Sequence, residues 1–184
     1  MSSESFKEFE KVSEELIYEE DWFSFAAAEF EGPVGERIKR YVFHHPGAVA
    51  VVPIEDGKIV LVRQYRPALE KEMLEIPAGK LDIEGEEPEK AAHRELIEEA
   101  GLDALRLEEL CSFYNSAGFS DEKTVIYLAT EMTRVEKIAA SVEEEYMTTE
   151  KIPLEDVYEL IDSGYITDAK TIIGIYSAMR FIGR

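Results

Sequence analysis

The chain has 184 residues, enough for one domain or slightly more at about 150 residues per domain, and its 45% hydrophobic content can furnish a core without disulfide staples. With 40 Asp and Glu against 20 Lys and Arg, the formal charge of −20 repels phosphate backbones and anionic lipid, which disfavours nucleic-acid and membrane partners. The longest interior apolar run, Ala48 to Val52, falls far short of the ~20 residues that span a bilayer, and the opening stretch Met1 to Glu8 has neither the basic start nor the apolar core of a secretory leader. A cytoplasmic location is expected, and the single Cys111 fits a reducing compartment. His44, His45 and His93 are too few and too poorly spaced for a His-rich metal site, so oxygen ligands must hold any metal.

From Glu14 to Phe43 the pattern predicts short strands, Trp22–Phe30 and Arg37–Phe43, split by the turn-rich Gly32-Pro33-Val34-Gly35 into a small N-terminal hairpin region. Pro46-Gly47 punctuates the chain before Ala48–Ile54, the turn Glu55-Asp56-Gly57-Lys58 and Ile59–Tyr65, which read as a buried hairpin. A short strand over Met73–Ile76 leads into Pro77-Ala78-Gly79 and an acidic loop, and a helix is predicted from Pro88 to a stop at Gly101. Strands follow at about Leu105–Phe113 and Thr124–Thr130, then the acidic run Glu143-Glu144-Glu145 ending at a strand near Tyr146. Two closing helices are read over Pro153–Asp162 and Thr167–Phe181. Mixed strands with late helices argue for an α/β layered domain.

Chemistry concentrates between Gly79 and Leu102. On a helix Glu95 stands i,i+4 from Glu99 and i,i+3 from Glu98, so like charges crowd one sector and repel by a few tenths of a kcal/mol per exposed pair. In so acidic a chain a solvated helix face is one reading of that spacing. The other is a hard divalent cation, which takes carboxylate oxygens and keeps positions for water and substrate phosphate. Apolar Ala91, Leu96, Ile97 and Ala100 on the same helix favour a partly packed setting for the acids.

From Glu86 through Arg94-Glu95-Leu96, Glu98-Glu99, Gly101 and Leu102 the chain resembles the Nudix hydrolase signature: Gly, five residues, Glu, seven residues, Arg-Glu, aliphatic, any, Glu-Glu, any, Gly, aliphatic. One departure is an extra loop residue, since six residues separate Gly79 from Glu86. The segments Val62–Pro67, Leu74–Leu81, Gly118–Lys123 and Asp168–Thr171 resemble the ADP-ribose pyrophosphatase branch, although Ala117 stands where that branch usually carries proline.

The resemblance implies a Nudix-type α/β/α sandwich with a mixed sheet over residues 46–184, preceded by an antiparallel strand region over 1–45 that helps to form a homodimer. It also implies Mg²⁺, or Mn²⁺, as one to three ions held by Glu95, Glu99, the Ala78 carbonyl and Glu98, with Gly79, Glu86, Arg94 and Gly101 structural in the motif. The general base would be Glu144 or Glu145, with Glu122 and Glu98 behind them. Among substrate contacts Arg66 leads Arg63, because residues three apart on a strand need not share a face. Arg40 and Lys39 follow, and Trp22 and Phe23 either stack on a base or fill a core or dimer interface. The implied reaction is hydrolysis of ADP-ribose, a nucleoside diphosphate sugar, to AMP and ribose 5-phosphate. The alternatives are another nucleoside diphosphate sugar, a dinucleotide, or sensing without hydrolysis.

Overall fold

The computed structural model describes residues 8–183, so the first seven residues of the stretch read for a secretory leader lie outside the described residues. Two compact units divide it. One comprises the described residues up to Pro46 with Tyr114–Lys123, and the other Gly47–Phe113 with the chain from Thr124 onward.

In the first unit β1 (Glu10–Glu19), β2 (Ser24–Glu31) and β3 (Arg37–His44) form an antiparallel sheet in the order β1-β2-β3. The turn at Gly32–Gly35 joins β2 and β3 as the sequence predicts, but the hairpin is extended by a third strand that the sequence reading did not resolve. All ten residues of β1 are exposed, so backbone pairing alone defines the strand and no apolar alternation announces it. The loop from Tyr114 closes on β3, with Phe43 N–H donating to the Phe119 carbonyl at 2.8 Å. The Asp121 carboxylate accepts His45 N–H at 2.8 Å and meets His44 Nδ1 at 2.6 Å.

The second unit is built on a mixed seven-stranded sheet, ordered β10-β5-β4-β9-β8, with β6 on β5 and β7 on β4. Its strands are β4 (Ala48–Glu55), β5 (Lys58–Arg66), β6 (Lys71–Glu75), β7 (Ala78–Lys80), β8 (Leu102–Tyr114), β9 (Lys123–Arg134) and β10 (Thr148–Pro153). Strand β4 runs antiparallel to β5 and parallel to β9, and is buried from Ala48 to Pro53, which explains its unbroken apolar sequence. Its residues alternate between two cores. Val49 and Val51 meet Ala91, Ala92, Leu96 and Ala100 of α1 (Pro88–Ala100), whereas Ala50 and Val52 meet Val157 of α3 (Val157–Asp162) and Ile175 and Ala178 of α4 (Ala169–Ile182). The result is the expected α/β/α layering.

Of the boundaries that differ from the sequence reading, one is β7, which forms where a loop is expected, and two more fall between β9 and α3. The acidic run forms a short helix, α2 (Val142–Tyr146), with the next strand starting only at Thr148, because Ser141 caps the turn by accepting Glu144 N–H. Pro153 closes β10 instead of opening a helix, and α3 starts at Val157. Among the described residues no helix is long and apolar enough to cross a membrane.

The N-terminus of α4 is tied to the sheet through Thr171, which is fully buried. Its hydroxyl donates to Asp168 Oδ2 at 2.6 Å and accepts Ile76 N–H at 2.9 Å, while Asp168 Oδ2 also accepts Thr171 N–H at 2.9 Å. Thr171→Val keeps the shape but strips a buried N–H of its acceptor, which should cost about 1–3 kcal/mol. A urea midpoint lowered accordingly is the expected result; an unchanged midpoint would show that the hydroxyl contributes nothing net.

Candidate active site

Local packing brings the signature residues together. Strand β7 lies against β4 with Ala78 opposite Ala50 and Gly79 opposite Val49, and α1 buries its small and aliphatic residues in the adjoining core. The same rotation of the helix leaves Glu95 and Glu99 buried and Glu98 half-buried on the side of β7. Ala78 N–H donates to Glu99 Oε2 at 2.8 Å. A Cβ on Gly79 would overlap the Glu95 carboxylate, so a side chain here would push Glu95 out of the position it holds against β7. Gly101, at φ 62°, ends α1 in the left-handed conformation.

One guanidinium serves three of the acids. Arg94 donates from Nε and Nη2 to both Glu86 oxygens at 3.1 and 2.9 Å, and from Nη1 to Glu95 at 2.6 Å and Glu98 at 3.0 Å. This does not balance the charge. Burial pushes Glu95 up to about 7 despite Arg94, with the Glu98 and Glu144 charges adding to the rise. Burial pushes Glu99 up to about 8, against the Ala78 hydrogen bond.

Glu75 makes the contrast. It is 1% exposed, yet its carboxyl is held below the ordinary value: burial raises it, but Arg66 and Lys170 together prevail. Arg66 grips both oxygens at 2.7 and 2.6 Å, and Lys170 pairs with Glu75 and, at 3.1 Å, with Asp168. Buried carboxylates in this unit are therefore neutralised where two cations pair with them directly, as at Glu75, and remain short of positive charge along α1.

Among the described residues no three His, Cys, Asp or Glu side chains already converge as a metal cluster. Glu95 and Glu98 are turned onto Arg94, and Glu99 onto a backbone N–H. The donor set is nevertheless of the kind that Mg²⁺ or Mn²⁺ selects, all oxygen with excess negative charge and no competing thiolate or imidazole.

Other sequence-predicted residues fall differently. Arg63 gives Nε to Glu150 at 2.6 Å and Nη2 to the Tyr165 hydroxyl at 2.6 Å, engagements that tie β5 to β10 and account for its charge without a substrate. Arg66 acts electrostatically on Glu99. Glu144 is half-buried, its oxygens accepting from Ala140 N–H at 2.6 Å and Ser141 Oγ at 2.8 Å, while Glu145 is exposed. Lys39, Arg40, Trp22, Phe23 and Glu122 belong to the first unit. There Trp22 and Phe23 pack with Phe43 and His45, Lys39 lies over the Tyr41 ring, and Arg40 donates to the Lys39 carbonyl at 2.8 Å.

Sequence reasoning assigned no role to Glu75, Asp168 or Lys170, although it singled out both segments that carry them. The available signal was an acid inside the otherwise apolar strand ending Met73-Leu74-Glu75-Ile76, where only a cation brought from elsewhere in the fold could make burial tolerable.

A family profile described as NUDIX domain matches residues 44–172. The chain belongs to the Nudix family. It is 41% identical over 165 residues to the ADP-ribose pyrophosphatase of Bacillus subtilis (strain 168), covering 89% of each chain. It is 36% identical over 169 residues to the ADP-ribose pyrophosphatase of Mycobacterium tuberculosis (strain ATCC 25618 / H37Rv), covering 91% of this chain and 82% of that one. It is also 42% identical over 146 residues to the methanol dehydrogenase activator of Bacillus methanolicus, covering 79% of this chain and 78% of that one. The crystal structure of an ADP compounds hydrolase superimposes with a TM-score of 0.86 over 98% of this chain and 97% of that one at 23% identity, which establishes a common fold.

The Nudix helix has a pH signature. Glu95 and Glu99 bind protons more readily in the folded chain than at their ordinary value of 4.5, so their contribution to stability is complete below that value and is lost as pH rises through about 7 and 8. In chelator, melting temperature should fall from about pH 5 to about pH 8. Glu99→Gln, neutral throughout, should flatten the fall and melt above the parent at the alkaline end; a variant with the parent's slope would show that Glu99 is not the strained group.

Proposed function

We propose that the protein is a divalent-cation-dependent Nudix pyrophosphohydrolase that cleaves ADP-ribose with water to AMP and ribose 5-phosphate. The observation that carries the reading is the charge-deficient carboxylate set on α1, contrasted with the balanced Glu75 pair in the same unit. The two ADP-ribose pyrophosphatase relatives support the substrate, since the similarity runs over most of each chain.

Glu95, Glu99, Glu98 and the Ala78 carbonyl would hold Mg²⁺ or Mn²⁺, one to three ions, which when bound supplies charge neutralisation on the diphosphate and a more acidic water. Arg94 orients the Glu95 and Glu98 oxygens, which a lysine could not do with one point charge. Arg66 gives one edge to Glu75 and keeps Nη1 for an anionic group, so we assign it to the diphosphate ahead of Arg63. Of the acids in α2, Glu144 is consumed in its own helix cap and Glu145 is exposed, so we assign Glu145 as the group that takes the proton from the attacking water. Glu122 and Glu98 rank below it.

The exposed edge strand β1, with Val12, Leu16, Ile17 and Tyr18 all uncovered, supports a homodimer through this sheet. The protein would act in the cytoplasm on this small nucleotide, with no nucleic-acid or membrane partner.

With Mg²⁺, a panel of ADP-ribose, GDP-mannose, UDP-glucose, NADH and diadenosine polyphosphate should show ADP-ribose dominant and AMP as product, with turnover abolished by chelator. Preference for another member would overturn the substrate and keep the chemistry, whereas silence throughout would favour sensing. Glu145→Gln should lower kcat roughly 100-fold or more, and Glu144→Gln less. The reverse order would move the base to Glu144.

A further inference from the structure

The helix that carries Glu145 has five residues, too short to persist without outside support. Its N-terminal side is held by Ser141, whose Oγ accepts Glu144 N–H, and by the Glu144 carboxylate turned back on Ala140 N–H and Ser141 Oγ. Its C-terminal side is held by a side chain from outside the helix. Lys137 Nζ donates to the Glu144 carbonyl at 2.6 Å and to the Met147 carbonyl at 3.1 Å, acceptors that lie on either side of Glu145 in the chain.

Lys137 is itself anchored to the end of the Nudix helix. Val135 N–H donates to the Gly101 carbonyl at 3.0 Å, and a Cβ on Gly101 would lie 3.1 Å from the Val135 carbonyl oxygen and 3.6 Å from Lys137 Cβ. The signature glycine therefore does more than end α1. It lets the segment Val135–Lys137 pass against the helix terminus, next in the chain to Glu98 and Glu99. From there one ammonium group reaches across to α2, and the Glu144 charge is felt at Glu95. A cation on the last carbonyls of a helix is also favoured by the helix dipole.

We propose that Lys137 is a positioning residue for hydrolysis: it fixes α2 relative to the C-terminal end of the Nudix helix and so sets where Glu145 meets the attacking water. The proposal rests on the reading of Glu145 as the base. Lys137 touches neither substrate nor metal in this scheme and acts only through the backbone of α2, which separates it from the arginines assigned to phosphate.

The test is a double-mutant cycle on the full chain, with ADP-ribose and saturating Mg²⁺, reading kcat and KM separately and checking each variant by circular dichroism and melting temperature. Because small misplacements of a reacting group cost large factors, Lys137→Met should lower kcat about 10-fold or more with KM within about twofold. Lys137→Arg, which keeps donors in reach of both carbonyls, should recover most of the loss. Combined with Glu145→Gln, Lys137→Met should add little, since the group it positions is already disabled. If Lys137→Met leaves kcat unchanged while Glu145→Gln lowers it, the positioning role is overturned and the base stands. The role is equally overturned if Lys137→Met lowers kcat by the same factor in both backgrounds, because it then acts on something other than Glu145. If Glu145→Gln keeps normal turnover, the base assignment fails and this proposal falls with it. Should Lys137→Met prove unfolded, the arginine variant decides: normal kcat, with a further drop in Lys137→Gln, supports the clamp, and normal kcat in Lys137→Gln overturns it.

Discussion

Along α1, buried negative charge exceeds the positive charge within reach, and much of the architecture of the second unit follows from holding it there. Taking a carboxylate out of water is costly unless a cation or several donors replace the lost hydration. At Glu75 the chain supplies two cations and the carboxyl stays well ionised. At Glu95 it supplies an arginine shared with Glu86 and Glu98, and at Glu99 one backbone N–H with only the through-space pull of the Lys170 and Arg66 that bond Glu75, and both carboxyls rise toward neutral pH. The two settings lie in one unit and differ in cation supply, so the deficit is a property of the Nudix helix and not of burial in general.

Holding acids in that state requires rigid surroundings. The apolar stripe of α1 sinks into the core against β4, which fixes the rotation of the helix, and β7 is pinned to β4 so that Ala78 N–H faces Glu99. Gly79 removes the one atom that would collide with Glu95. Arg94 then spans the extra loop residue as well: by gripping Glu86 and, at 3.4 Å, the Lys80 carbonyl, it ties both ends of the loop to the helix whatever path the intervening residues take. A loop of one residue more than the usual signature is tolerated because the fixed points lie outside it.

The second consequence concerns reach. The acids of α1 are packed against the core and β7, whereas those of α2 stand on a short element held by its own cap on one side and by Lys137 on the other. The same arrangement shows why proximity in sequence misleads within an acidic run. Glu144 and Glu145 are adjacent, yet one satisfies the helix terminus and the other faces solvent.

Much was legible in the sequence. The unbroken apolar runs of β4 and β5 could only be buried strands, Pro88 and Gly101 bracketed the helix by their backbone preferences, and the i,i+3 and i,i+4 spacing placed the acids in one sector. These features are local and set by sterics and periodicity. Strand β1 was not legible, because a strand stabilised by pairing alone carries no burial pattern, and neither was the helical turn over Val142–Tyr146, which depends on a cap and on Lys137. The roles of Glu75, Lys170 and Arg63 were decided only when the fold brought together residues far apart in the chain, as in Glu75 with Lys170 and Arg63 with Glu150 and Tyr165. Charge balance is a sum over neighbours in space. The sequence by itself therefore determined which residues could do the chemistry, while the tertiary structure decided which acids are neutralised, which are left wanting a cation, and which are spent on holding the scaffold.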